Sequence, residues 1–278
     1  MTRPASQRTA EVLRVDLSAL APSAWRTQAA VIASLPGLLS ADAGRGENGA
    51  EPDVEVVDGT NASWPGMVAQ ALGKARRGVL VSAPAAVPPV AASALAERAD
   101  RAGCAVVVAL PFQFDPGMRA GWLRPELSLV ESVLTVPADD GRLALRAGLL
   151  AQVAAVRSGT GDLSGLELRY DTPSAYLATG LAGATTVMLS GVRSPLLQHV
   201  LRADLVGIGS RHVIRLHENP LAAPTLFTSY GGSGMSRQRL SYSGGLRAAW
   251  RNLHAAVTAA EPVRYSLPEL ARDLTVLP

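Results

Sequence analysis

Asp53-Val-Glu-Val-Val-Asp-Gly-Thr-Asn61, followed by Gly78-Val-Leu-Val-Ser-Ala-Pro84 and Cys104-Ala-Val-Val-Val-Ala-Leu-Pro-Phe112, is the stretch on which the fold turns. Three short β-branched runs alternate with two alanine-rich segments of roughly ten to fifteen residues, the pattern of strands joined by crossover helices. The runs are apolar almost throughout, as strands are when helices cover both faces of a sheet. Consecutive βαβ units and a parallel sheet are therefore expected.

Toward the N-terminus, Leu13 to Leu20 reads as a first strand. Trp25 to Leu35 reads as a helix, with Ser23 as its cap and Pro36-Gly37 as its stop. Gly37 to Ala43 reads as a short second strand, and Gly44 to Pro52 as a glycine-rich polar loop with no helix behind it. In a dinucleotide-binding fold, glycines let the first strand-to-helix turn approach a pyrophosphate. Here that turn is Ser18-Ala-Leu-Ala-Pro-Ser-Ala-Trp25, without a glycine. Extra β-carbons, a proline lacking its N–H and a bulky indole all oppose a conventional NAD(P) site. Asp42 follows at about the distance where a ribose-binding acid sits.

Beyond Pro116 the pattern changes. Leu127 to Val136 alternates like a half-buried strand, Arg142 to Arg157 carries a leucine–valine helix face, and Leu166 to Tyr170 alternates again. Pro195 to Leu205 reads as a short helix. Residues 212–217, 225–230 and 237–242 read as antiparallel strands, with Tyr230-Gly-Gly-Ser-Gly234 a hairpin connection. A helix from Gly245 to Ala260 and a proline-started segment from Ser266 close the chain. The expected class is α/β: a shortened Rossmann-like parallel-sheet domain over 1–118, then an α+β domain over 119–278 with a mostly antiparallel sheet.

Composition narrows the field. The 278 residues are 48% hydrophobic and 18% charged, which excludes a disordered chain. A net charge of only +3, with no basic run interleaved with aromatics, argues against nucleic acid. One cysteine, Cys104, excludes an internal disulfide and a cysteine zinc site. The polar first residues lack a secretory core, and no apolar run reaches the ~18 residues of a membrane span. A cytoplasmic protein without a membrane partner is expected.

In Gly59-Thr-Asn61, Ser82-Ala-Pro84 and Phe112-Gln-Phe-Asp-Pro116 the chain resembles the glucose–fructose oxidoreductase / inositol dehydrogenase (Gfo/Idh/MocA-like) family, as a degenerate member. The likeness is strongest over 53–116, moderate over 245–278 and weak between. It implies a strand ending in a Thr-Pro-Asn-like turn, a strand ending in Glu-Lys-Pro and an Asp-x-x-x-His pair in the second domain. Ala83 stands where the resemblance places the lysine, and an alanine transfers no proton. The segment most like the Asp-x-x-x-His region, Asp171 to Gly191, has no histidine.

The candidate residues are accordingly few. Asp171 and Tyr176 offer an acid and a phenol. His217, beside Glu218 and Asn219, offers an imidazole. Asn61 at a strand's carboxyl end and Asp42 are the candidates for cofactor contact. His212 and His217 share one strand at odd spacing and face opposite ways, so they cannot share a metal, and no zinc-hydrolase spacing occurs. The reading expected first is a protein that has lost dinucleotide binding and hydride transfer. It would bind a small molecule, or pair as a homo-oligomer or with an intact homologue, and need no cofactor. The alternative is an active NAD- or NADP-dependent oxidoreductase on a sugar- or polyol-like substrate, with a rearranged site.

Overall fold

The computed structural model describes residues 11–35, 37–42, 51–115, 118, 127–137, 141–195, 200–217, 225–239 and 244–278. Its first layer is a five-stranded, all-parallel sheet in the order β2-β1-β3-β4-β5. The strands are β1 (Leu13–Asp16), β2 (Leu39–Asp42), β3 (Val54–Asp58), β4 (Gly78–Ser82) and β5 (Ala105–Ala109). Helices α1 (Pro22–Ala33), α2 (Trp64–Gly73) and α3 (Pro89–Ala102) connect them. Val56, Val57, Val79, Leu80, Val81, Val107 and Val108 are buried, as the continuous apolar runs require. The helix after β1 starts at Pro22, not after Ser23. Proline at the first helical position is pre-set for the helix and lacks an N–H that would go unbonded there anyway.

The second layer is an eight-stranded sheet in the order β13-β12-β11-β10-β6-β9-β8-β7. Its strands are β6 (Leu127–Pro137), β7 (Leu163–Asp171), β8 (Ala175–Ala182), β9 (Thr185–Ser194), β10 (Val200–Gly207), β11 (Ser210–His217), β12 (Leu226–Gly231) and β13 (Gly234–Arg239). All neighbours are antiparallel except β6 and β9. One expectation fails here: the stretch expected to be a helix from Pro195 is strand β10 from Val200 onward. Leu201, Ala203 and Leu205 alternate into the core, and pairing to β6 and β11 on both sides overrides helix propensity.

Helix α4 (Gly141–Thr160) lies between the two cores. Leu150 and Ala154, one turn apart, join the core of the parallel sheet, while Leu149, Val153 and Val156 join that of the second sheet. Two further helices, α5 (Gly245–Ala259) and α6 (Leu267–Val276), return to the first layer. Trp250, Leu253, Tyr265, Leu267 and Leu270 are buried there. The β-carbon that Gly78 lacks would come within 3.0 Å of Leu253 and 2.9 Å of Val257, so α5 rests directly on the start of β4. Helix α6 opens with a capping box, Glu269 accepting the Ser266 N–H at 3.0 Å. No helix among the described residues is long and apolar enough to cross a membrane.

Candidate functional site

The order in which the chain lays down the parallel strands reverses between β1 and β3, and open α/β sheets bind ligands outside the carboxyl ends at such a point. One side of this crevice is the β1–α1 corner. Two of its N–H groups are spent internally: Ser18 donates to the Asp16 carboxylate at 2.8 Å and Leu20 to the Leu17 carbonyl at 3.1 Å. Pro22 has none to give. No residue of the corner takes the left-handed conformation that glycines permit, and Leu17 is fully buried. Burial works against the Asp16 charge, but the Ser18 hydroxyl and N–H outweigh it and hold this carboxyl below its ordinary value. The corner does not fit a diphosphate held in the glycine-fingerprint manner.

The other side is formed by the ends of β3, β4 and β5. Gly59 donates to the Ser82 carbonyl at 2.8 Å and accepts from Ala85 at 2.7 Å. A β-carbon at Gly59 would lie 2.5 Å from the Pro84 α-carbon, so this glycine lets the two turns touch. Directly beyond, Ala83 (φ +47°), the residue after β4, and Phe112 (φ +67°), in the turn after β5, both occupy the left-handed region. Such conformations cost about 1–3 kcal/mol each and gather at ligand sites. Gln28 of α1 is buried behind them, donating to Ser82 Oγ at 3.2 Å and accepting from the Trp250 indole at 2.8 Å.

Asn61 lies in the exposed β3–α2 turn. Its side-chain oxygen accepts the Ser63 N–H at 2.9 Å and the Ser63 hydroxyl at 3.0 Å, a turn-making arrangement. Asp42 ends β2, paired in register with Asp16. Its side chain lies outside what the structure describes, as do Glu218, Asn219 and His199.

Asp171 and Tyr176 do come together, as register partners on β7 and β8, in a pocket of about 280 Å³. Val87 after β4, Leu145, Arg146 and Leu149 of α4, and Leu274 and Leu277 at the chain's end also line it. The Tyr176 hydroxyl donates to Gln152 Oε1 at 2.5 Å, and burial pushes its ionisation far above the ordinary phenol range. Gln152 in turn donates to the Ser132 carbonyl and hydroxyl and the Ser190 carbonyl at 2.8–3.1 Å. Tyr176 thus contributes a fixed wall. Asp171 is the exposed carboxylate of the pair.

His217 ends β11 and does not line this pocket. Partial burial and the nearby Arg215 lower its pKa. His212 points the opposite way, buried and stacked on Phe227 at 5.6 Å between centroids. Asp171 to Gly191, the segment most like the Asp-x-x-x-His region but without its histidine, is mostly the β8–β9 hairpin. Helices α4 and α6 both reach the pocket, and α4 carries Arg146 at the rim and Leu150 four residues on in the core. The sequence does not single out Arg146 or Gln152, and it marks Ala83 and Phe112 without revealing their strain. Of the first two, only Gln152, a lone amide on an apolar helix face, leaves a trace there. Among the described residues, no three His, Cys, Asp or Glu side chains could hold a metal ion.

These two layers define a class: a parallel α/β sheet carrying a large, mostly antiparallel sheet, the architecture of several solved reductases and dehydrogenases. KijD10 from Actinomadura kijaniata, a 3-ketoreductase solved with TDP-benzene and NADP, superposes with a TM-score of 0.75. The match is 16% identical and covers 96% of each chain. UDP-N-acetylglucosamine 3-dehydrogenase GnnA from Acidithiobacillus ferrooxidans matches with a TM-score of 0.75, 14% identity and 95% of each chain. The dehydrogenase MviM from Clostridium difficile gives 0.66 at 10% identity, over 81% of this chain and 76% of its own. No protein-family model and no curated protein matches. At these identities the likeness establishes the fold.

Proposed function

We propose that this chain is an oxidoreductase of the glucose–fructose oxidoreductase / inositol dehydrogenase type, working with NAD or NADP on a sugar- or polyol-like substrate. The observation that carries this reading is the strain at the crevice: Ala83 and Phe112, neither a glycine, are both left-handed in the segments that leave adjacent strands. Such strain persists where the surroundings over-determine it, and it concentrates at ligand sites. Support also comes from the end-to-end match to KijD10, solved with NADP. Fold alone does not fix activity, so the reading stands on the crevice. It places no diphosphate in the β1–α1 corner and leaves Asn61, Asp171 and His217 as the polar groups to be tested.

A second reading rests on that corner. With two of its N–H groups spent, no glycine and alanine at position 83, the chain would keep the fold and bind a small molecule without hydride transfer. The open face of its antiparallel sheet would then meet a second copy or an intact homologue.

Assays of NADP(H)- and NAD(H)-linked turnover across polyols, sugars and nucleotide sugars separate the two. Turnover with any of them supports the first reading, and silence across the panel supports the second.

A further inference from the structure

We infer that the pocket between α4, β7 and the end of the chain binds a small monocarboxylate with an apolar body, its carboxylate held by Arg146. The pocket shares Asp171 with the groups named above, but neither Ala83 nor Phe112 lines it, and its occupancy does not depend on a dinucleotide. At about 280 Å³ the pocket lies just below the range of drug-sized ligand sites, so its occupant is small. Its walls are chiefly apolar, with Val87, Leu149, Leu168 and Leu274 prominent. Such walls favour a hydrocarbon body over a sugar ring, whose hydroxyls would lose water without compensation.

The polar groups are mostly committed. The Tyr176 hydroxyl is spent on Gln152. The Thr172 hydroxyl donates to the Ala175 carbonyl at 3.1 Å and accepts its N–H at 3.0 Å. Asp171 has an interaction of its own. Arg146 makes no ion pair among the described residues, which leaves its guanidinium as the pocket's uncommitted donor. Five N–H groups in a planar fork match a carboxylate in two-point fashion. The Asp171 carboxylate on the same wall disfavours a second negative charge, so a monoanion fits better than a phosphate dianion.

Calorimetry on the full chain tests this with three probes: hexanoate, its neutral isostere hexanamide, and gluconate as an anion with a polar body. Hexanoate is expected to bind about tenfold more tightly than hexanamide, the size of one charge-assisted contact at a partly exposed site. It should also bind more tightly than gluconate. Arg146→Gln should erase the preference for hexanoate over hexanamide. Arg169→Gln, an exposed change on β7 outside the pocket lining, should leave it intact. Thermal melts of both variants confirm that they fold. Equal binding of hexanoate and hexanamide overturns the inference, as does a preference that survives Arg146→Gln. Absence of hexanoate binding at millimolar concentration, or tighter binding of gluconate, also overturns it. None of these outcomes bears on NADP(H) turnover, so the two readings fail separately.

Discussion

Asp273 of α6, fully buried, is clasped by Arg157 of α4, whose Nε and Nη2 donate to its two oxygens. Tyr265 adds a third hydrogen bond at 2.5 Å. Burial pushes the Asp273 carboxyl up, against the pull of Arg157 and Tyr265. Removing one partner strands the other charge, which in buried pairs costs about 3–5 kcal/mol, whereas an apolar replacement of both often comes near neutral. Arg157→Met should therefore destabilise the chain by about 3 kcal/mol, and adding Asp273→Leu should recover most of that loss. Urea denaturation of the two variants measures it. A double variant less stable than the single one would contradict the account.

The pairing of Tyr176 with Gly191 makes a second prediction. A β-carbon at Gly191 would lie 2.2 Å from the Tyr176 ring, which Gln152 holds in place. Gly191→Ala should cost about 1–3 kcal/mol, the usual effect of overpacking. The same change in a Tyr176→Leu background should cost less, because the clashing ring is gone. Equal costs in the two backgrounds would show that the ring is not what excludes a side chain there.

At Ala83 the backbone is left-handed, and its N–H donates to the Ala109 carbonyl at 2.9 Å. Glycine removes the steric penalty of about 1–2 kcal/mol and returns part of it as chain entropy. Ala83→Gly should raise stability by roughly 0.5 kcal/mol. A lower thermal midpoint would mean that the strain is not borne at this residue.

Cys104 gives the pH dependence. Burial raises its thiol from 9.0 to about 11. The fold favours the neutral thiol, so this contribution to stability is fully present below pH 9 and is lost as pH rises toward 11. Between those values the wild type should lose up to about 2 kcal/mol more than Cys104→Ala. Iodoacetamide at pH 8 should label Cys104 only under denaturing conditions. Rapid labelling of the native chain would contradict its burial.

The parallel sheet was legible because its strands are short, β-branched and apolar on both faces, and nothing else in the chain competes for that pattern. Strand β10 was not: Val-Leu-Arg-Ala-Asp-Leu-Val carries leucine, arginine and alanine that suit a helix, and its state is decided by pairing with β11 across a tight turn and with β6, far away in sequence. The site was less legible still. The absence of glycine from the β1–α1 corner could be read directly, and the structure adds how the Ser18 and Leu20 N–H groups are spent. The link from Tyr176 to Gln152 crosses 24 residues between a strand and a helix, which no local pattern encodes. The placement of Arg146 at a pocket rim depends on where α4 settles between two cores. The strain at Ala83 and Phe112 is a property of the backbone that neither residue type announces.

Calorimetric titration of the full chain with NADPH tests the central claim most directly. An oxidoreductase working at the strained crevice predicts saturable binding in the micromolar range, unchanged by Ser18→Ala in the β1–α1 corner. No binding of NADPH or NADH at millimolar concentration would contradict that claim and favour the reading without hydride transfer.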